Sequence, residues 1–119
     1  MKIKSRYNIL LIDNEYWTTD LFTKWLGEKA DVHKATDAMG AFKTLRNKKF
    51  DYVFIDFDLN GQDGFQAYNI LKPYLKKAEV YILSGYDKDY MMGFKRDIDL
   101  SGIKGYIHKN DFERFANEL

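Results

Sequence analysis

Short unbroken apolar runs recur along this chain, and each one ends on a residue capable of chemistry. Asn8-Ile9-Leu10-Leu11-Ile12 runs into Asp13-Asn14, and Tyr52-Val53-Phe54-Ile55 runs into Asp56. Val80-Tyr81-Ile82-Leu83 runs into Ser84, and the more polar stretch from Ile103 to His108, read as a fifth strand, ends at Lys109. An apolar run without polar alternation is the pattern of a strand covered on both faces. The segments between the runs have a different period. Leu21, Phe22, Trp25 and Leu26 fall at helical spacing within residues 15 to 27, where Gly27 stands as a stop signal. A second helix is expected from Asp37 to Asn47, with Ala38, Ala41, Phe42 and Leu45 on one face. Residues 30 to 35 between them read as a weak strand, polar enough for a sheet edge.

The alternation continues after Asp56. A polar loop is expected from Asp58 to Asp63, and Asp63 with Gln66 has the spacing of a helix capping box. The helix it opens carries Phe65, Tyr68, Leu71 and Leu75, and Pro73 is expected to shorten or kink it. Residues 87 to 98 read as a less regular helix. Asn110 and Glu113 are spaced as a second capping box, opening a short last helix. Five strands alternating with five helices imply an α/β fold with a parallel sheet covered on both faces, with residues 1–119 forming one domain.

The sequence also limits the function classes. A formal net charge of +1 gives no broad attraction to nucleic acid. The basic cluster Lys43, Arg46, Lys48 and Lys49 reads as an anion patch or, better, as a solvated helix end. The chain has no cysteine, which excludes disulfides and thiolate metal sites, and its two histidines, His33 and His108, are too few for a zinc site. No apolar run approaches the roughly 18 residues of a membrane span. The basic start Met1-Lys2-Ile3-Lys4 is followed by an apolar stretch that stops at Asp13, too short for a signal peptide. A cytoplasmic location is the expectation.

In a parallel sheet the C-terminal strand ends share one edge, where ligands bind at the point of strand-order reversal. Asp13, Asn14, Asp56, Ser84 and Lys109 therefore meet at that edge. Neighbouring carboxylates repel, by roughly 1 kcal/mol at 4 Å in water and more inside protein. A divalent cation relieves that repulsion, and oxygen ligands with room for water suit Mg²⁺. The Asp56 carboxylate is then placed to attack a phosphoryl group in line. Lys109 would pair with one phosphoryl oxygen and Ser84 would donate to another. Taken singly, each residue has an ordinary reading: a helix cap, a loop acid, a turn serine, a surface lysine.

These stretches resemble the receiver domains of response regulators in two-component signal transduction. Leu10-Leu11-Ile12-Asp13-Asn14-Glu15 resembles the first-strand acidic signature. Val53-Phe54-Ile55-Asp56 with Leu59-Asn60-Gly61-Gln62-Asp63-Gly64 resembles the acceptor loop and the start of the third helix. Ile82-Leu83-Ser84-Gly85 resembles the strand with the switch hydroxyl, and Gly105-Tyr106-Ile107-His108-Lys109 the fifth strand with its lysine. The resemblance implies a flavodoxin-like, doubly wound sheet of order 2-1-3-4-5 with five helices. It implies a phosphoprotein of a phosphorelay in which Asp56 accepts phosphate from a sensor histidine kinase or phosphotransfer protein. Asp13, Asn14, Asp56 and the backbone carbonyl of Asp58 would hold Mg²⁺. Ser84 and Tyr106 would form the switch pair, and an effector or second copy would read the face of the fourth helix, fifth strand and fifth helix. Such a chain is a signalling switch rather than an enzyme, though it promotes its own phosphorylation and dephosphorylation.

Two positions depart from the family pattern. Asn14 stands where a second acid is usual, which predicts weaker Mg²⁺ binding, and Asn110 replaces the usual proline after the lysine. A trans peptide is expected there, because a cis non-proline bond costs about 2.5–4 kcal/mol. These departures leave open a pseudo-receiver, a binding module without regulated phosphorylation. Asp56-Phe57-Asp58 also resembles the D-x-D motif of haloacid-dehalogenase-type phosphatases, although that motif normally lies on the first strand. Tyr86, Tyr90, Met91, Met92 and Phe94 cluster around the fourth helix, as core or as a partner patch.

Overall fold

The computed structural model describes residues 6–119, and in it the apolar runs lie side by side in one sheet. The strands are β1 (Tyr7–Ile12), β2 (Ala30–Ala35), β3 (Tyr52–Asp56), β4 (Glu79–Ser84) and β5 (Ile103–His108). The helices are α1 (Tyr16–Leu26), α2 (Ala38–Asn47), α3 (Gly64–Leu71), α4 (Lys88–Met92) and α5 (Phe112–Asn117). All neighbouring pairs in the sheet are parallel, in the order β2-β1-β3-β4-β5. This is the doubly wound, flavodoxin-like α/β fold. The basic N-terminal residues Met1 to Lys4 lie outside the described residues.

Successive side chains of a strand point to opposite faces, so each buried run serves both halves of the core. Ile9, Leu11, Phe54 and Leu83 pack against Phe22 and Leu26 of α1 and Phe112 and Ala116 of α5. Leu10, Ile12, Val53, Ile55, Val80 and Ile82 pack on the other face against Ala38, Ala41 and Leu45 of α2 and Phe65 and Leu71 of α3. The register places Ile12 opposite Ile55, Asp56 opposite Leu83 and Ser84 opposite His108. The residues that follow these pairs thus leave the sheet at one edge.

Gly27 ends α1 with a φ of 57°, a conformation that favours glycine. The capping box at α3 is reciprocal: Asp63 accepts from the Gln66 N–H at 2.9 Å, and Gln66 accepts from the Asp63 N–H at 3.0 Å. Pro73 does shorten that helix, which stops at Leu71 and passes into a 3-10 turn over Lys72–Tyr74. Lys43, Arg46, Lys48 and Lys49 are exposed at the end of α2, and His33 sits on the edge strand β2 with its ring against Phe50. The peptide bond joining Lys109 to Asn110 is trans. Among the described residues no helix is long and apolar enough to cross a membrane.

Three local expectations need correction. The loop from Asp58 to Asp63 is a small antiparallel ladder, Asp58–Leu59 against Gln62–Asp63, turned by Gly61 at φ 73°. The fourth helix spans only Lys88–Met92, because the chain turns at Gly93 and enters the left-handed region at Arg96. Asn110 does not cap the last helix. It lies within a 3-10 turn over Lys109–Asp111, where its N–H donates to His108 Nδ1 at 3.1 Å. The other ring nitrogen, Nε2, then carries the proton and donates to the Gly85 carbonyl at 3.1 Å. That turn brings Lys109 back over the sheet edge, and α5 begins only at Phe112.

Gly64 links this frame to the chemistry. A Cβ there would stand 2.8 Å from the Asp56 carbonyl oxygen and 2.8 Å from Phe57 Cα, and both are backbone atoms that cannot rotate away. Gly64→Ala is expected to lower stability by about 2 kcal/mol. Urea denaturation checks this, and a loss below a few tenths would show that α3 shifts freely.

Candidate functional site

Asp13 follows β1 and remains tied to the sheet, its N–H donating to the Ala35 carbonyl at 2.9 Å. Its side chain is fully buried at 0% exposure. Oδ1 accepts from the Glu15 N–H at 2.8 Å, whereas the buried Oδ2 has no hydrogen-bond partner. Asp56 ends β3 at 1% exposure. Its Oδ1 accepts from the Asp58 N–H at 3.1 Å, and its Oδ2 accepts from Lys109 Nζ at 3.2 Å. The same ammonium lies 3.3 Å from Glu15 Oε1 and 3.9 Å from Asp13 Oδ2. One cation thus faces three carboxylates.

The electrostatics follow from that crowding. Burial raises the Asp56 pKa from 3.8 to about 7 and the Asp13 charge pushes the same way, while Lys109 and the Asp58 N–H pull it down. For Lys109, burial alone favours the neutral amine, but the Asp56 and Asp13 carboxylates outweigh it and raise its pKa. Carboxylate oxygens of Asp13, Glu15 and Asp56 lie within 4.8 Å of one another. A buried carboxylate oxygen without a donor, beside two further carboxylates, is a set of hard oxygen ligands suited to a divalent cation. The residues fit a metal.

A cleft of about 620 Å³ opens over these groups, with Asn14, Asp58, Gly85 and Tyr86 among its walls. Asn14 is exposed there, and Asp58 reaches the Asp56 carboxylate through its backbone N–H. Ser84 is buried at the end of β4, its Oγ accepting from the Tyr86 N–H at 2.7 Å. Tyr106 is half-buried on β5, edge-on to Phe65 with ring centres 6.3 Å apart. Lys88 Nζ sits 4.6 Å from the Tyr106 ring centre. Asp13, Asp56 and Lys109 are therefore in contact, with Ser84 and Asn14 at the same edge and Tyr106 one layer further in.

The sequence reading missed Glu15 as a site residue. It occupies the N-cap position of α1, yet its side chain makes no capping bond. Its carboxylate turns instead to Lys109 and to the Trp17 indole N–H, 3.3 Å away. The available signal was an acid closing the run Asp13-Asn14-Glu15, with a side chain long enough to fold back.

The chain is similar to proteins of one kind. The curated Sensory transduction protein LytT of Bacillus subtilis (strain 168) is 25% identical over 92 residues, 75% of this chain. The chain spans only 38% of that relative's length. A response regulator from Burkholderia pseudomallei, solved with a phosphorylated aspartic acid, calcium ion and citrate, superposes with a TM-score of 0.73 at 21% identity, covering 87% of this chain and 59% of that one. The response regulator TrrA from Thermotoga maritima, solved with Mg²⁺-BeF, gives 0.74 at 20% identity, covering 94% and 95%. The model of the response regulator receiver domain matches residues 9–118, nearly the whole chain, and the chain belongs to that family.

Proposed function

We propose that Asp56 accepts a phosphoryl group and that this event switches the molecule between two signalling states. The observation that carries the reading is the Lys109 ammonium 3.2 Å from a buried Asp56 oxygen, beside an Asp13 oxygen with no hydrogen-bond donor. The donor is a phosphohistidine on a sensor histidine kinase or phosphotransfer protein. An Asp56 oxygen attacks phosphorus, the N–P bond breaks with its electron pair leaving on the imidazole, and an acyl-phosphate O–P bond forms. Lys109 follows the charge from the carboxylate to a phosphoryl oxygen. Asp13, the Asn14 side-chain oxygen, Asp56 and the Asp58 backbone carbonyl would hold Mg²⁺, which would supply charge neutralisation. Solved relatives of the same fold carrying a phosphorylated aspartic acid or Mg²⁺-BeF support the assignment.

The output follows from what holds the neighbours in place. Ser84 Oγ accepts from the Tyr86 N–H, and a turn of its hydroxyl towards the phosphoryl group would loosen that bond, with Tyr106 moving inward into the space vacated. Tyr86 packs at a tilt near Tyr90 at 4.6 Å and Tyr90 near Phe94 at 5.3 Å, while Phe94 lies 5.5 Å from Phe57, next to Asp56. This aromatic series joins the cleft to α4, which borders the face of α4, β5 and α5 that an effector or a second copy would read.

Acetyl phosphate with Mg²⁺ tests the reading: one phosphoryl group per chain is expected, followed by slow decay. Steady turnover of p-nitrophenyl phosphate would instead favour a phosphatase. Asn14 favours the pseudo-receiver as a second reading, since it offers a metal no negative charge. Asn14→Asp is expected to tighten Mg²⁺ binding about tenfold, because ligand charge sets affinity at such sites. A calorimetric titration showing no gain would remove Asn14 from the metal set.

A further inference from the structure

We propose that Glu15 is a metal-binding carboxylate of this site, supplying the negative charge that neutral Asn14 does not. The inference rests on the phosphoryl-acceptor reading above and names one more residue in it. Glu15 stands at the N-cap of α1 without capping it, its carbonyl oxygen held by the Lys34 ammonium. Its carboxylate folds back instead, and one oxygen joins those of Asp13 and Asp56 within 4.8 Å. The second, independent observation is Asp13 Oδ2, fully buried, without a hydrogen-bond partner, on the Lys109 side of the cluster. Charge completes the argument. When ionised, the three carboxylates against one ammonium leave two negative charges, which a single divalent cation cancels. Without Glu15 only one would remain.

The structure includes its own reporter. Trp17 Nε1 donates to Glu15 Oε2 at 3.3 Å, so a Glu15 carboxylate drawn onto a metal changes the indole's surroundings. The other tryptophan, Trp25, packs near Phe112 at 6.0 Å instead.

Mg²⁺ is titrated into the full chain without phosphodonor, read by calorimetry and by tryptophan emission. Circular dichroism confirms that each variant is folded. Glu15→Gln is expected to weaken Mg²⁺ binding about tenfold or more and to remove most of the emission change. In an Asn14→Asp background, where another carboxylate supplies the charge, the same substitution is expected to cost less than about threefold. Wild-type binding matched within about twofold by Glu15→Gln overturns this proposal and leaves the acceptor reading standing. Failure of the wild-type chain to bind Mg²⁺ at tens of millimolar overturns both.

Discussion

Asp56→Asn is expected to abolish phosphoryl incorporation and, in metal-free buffer above pH 7, to make the chain more stable. The first effect is the loss of the nucleophile, a drop of about three orders of magnitude or more in acetyl-phosphate labelling. The second follows from linkage. Asp56 has a folded pKa raised from 3.8 to about 7, first by burial and then by the Asp13 charge. Between those values the folded state holds more protons than the unfolded state, so stability falls as pH rises through that window. The favourable contribution is complete below about pH 4 and is lost above about pH 7. The asparagine variant has no such charge to bury, and Lys109 keeps Glu15 at 3.3 Å as a partner. A gain of about 1–2 kcal/mol at pH 8 is expected, a rise of about 5 °C in melting temperature, shrinking towards pH 4. Thermal melts across pH check both parts. A less stable variant at pH 8 would mean that the Lys109 pair outweighs the cost of burying the charge.

Phe54→Ala is expected to have the largest effect on folding. Phe54 is fully buried two residues before Asp56 on the central strand. Its ring meets Phe22 at 5.6 Å, Tyr81 at 5.5 Å, Phe112 at 5.2 Å and Phe115 at 5.6 Å. It thus joins α1, α5 and the sheet in a single cluster. Removing the ring costs about 3–5 kcal/mol through lost burial and the cavity left behind. That is a large share of the roughly 5–15 kcal/mol that stabilises a domain. The urea midpoint should fall steeply, and a cost below about 1 kcal/mol would show that the cluster closes over the gap.

The sheet was legible because strands buried on both faces leave apolar runs that few other elements produce. Strand order was not in those runs; it came with the resemblance and is confirmed by the register. Asp13, Asp56, Ser84 and Lys109 were legible for the same reason, since a strand end locates a residue without knowledge of its side chain. Glu15 was not, because its role depends on a rotamer that folds back over the sheet edge. The last helix misled at Asn110, where a spacing that suits a capping box serves a turn pinned by His108. The fourth helix was overextended because Gly93 and the left-handed Arg96 outweigh the residues around them.

Binding of beryllofluoride, which imitates a phosphoryl group on aspartate, tests whether these groups form one acceptor pocket. With millimolar Mg²⁺, saturable binding is expected at about one per chain. It should vanish in Asp56→Asn, weaken in Lys109→Ala, and shift the backbone resonances of Ser84, Tyr86 and Tyr106. No binding at that Mg²⁺ concentration, or binding undiminished in Asp56→Asn, would contradict the account.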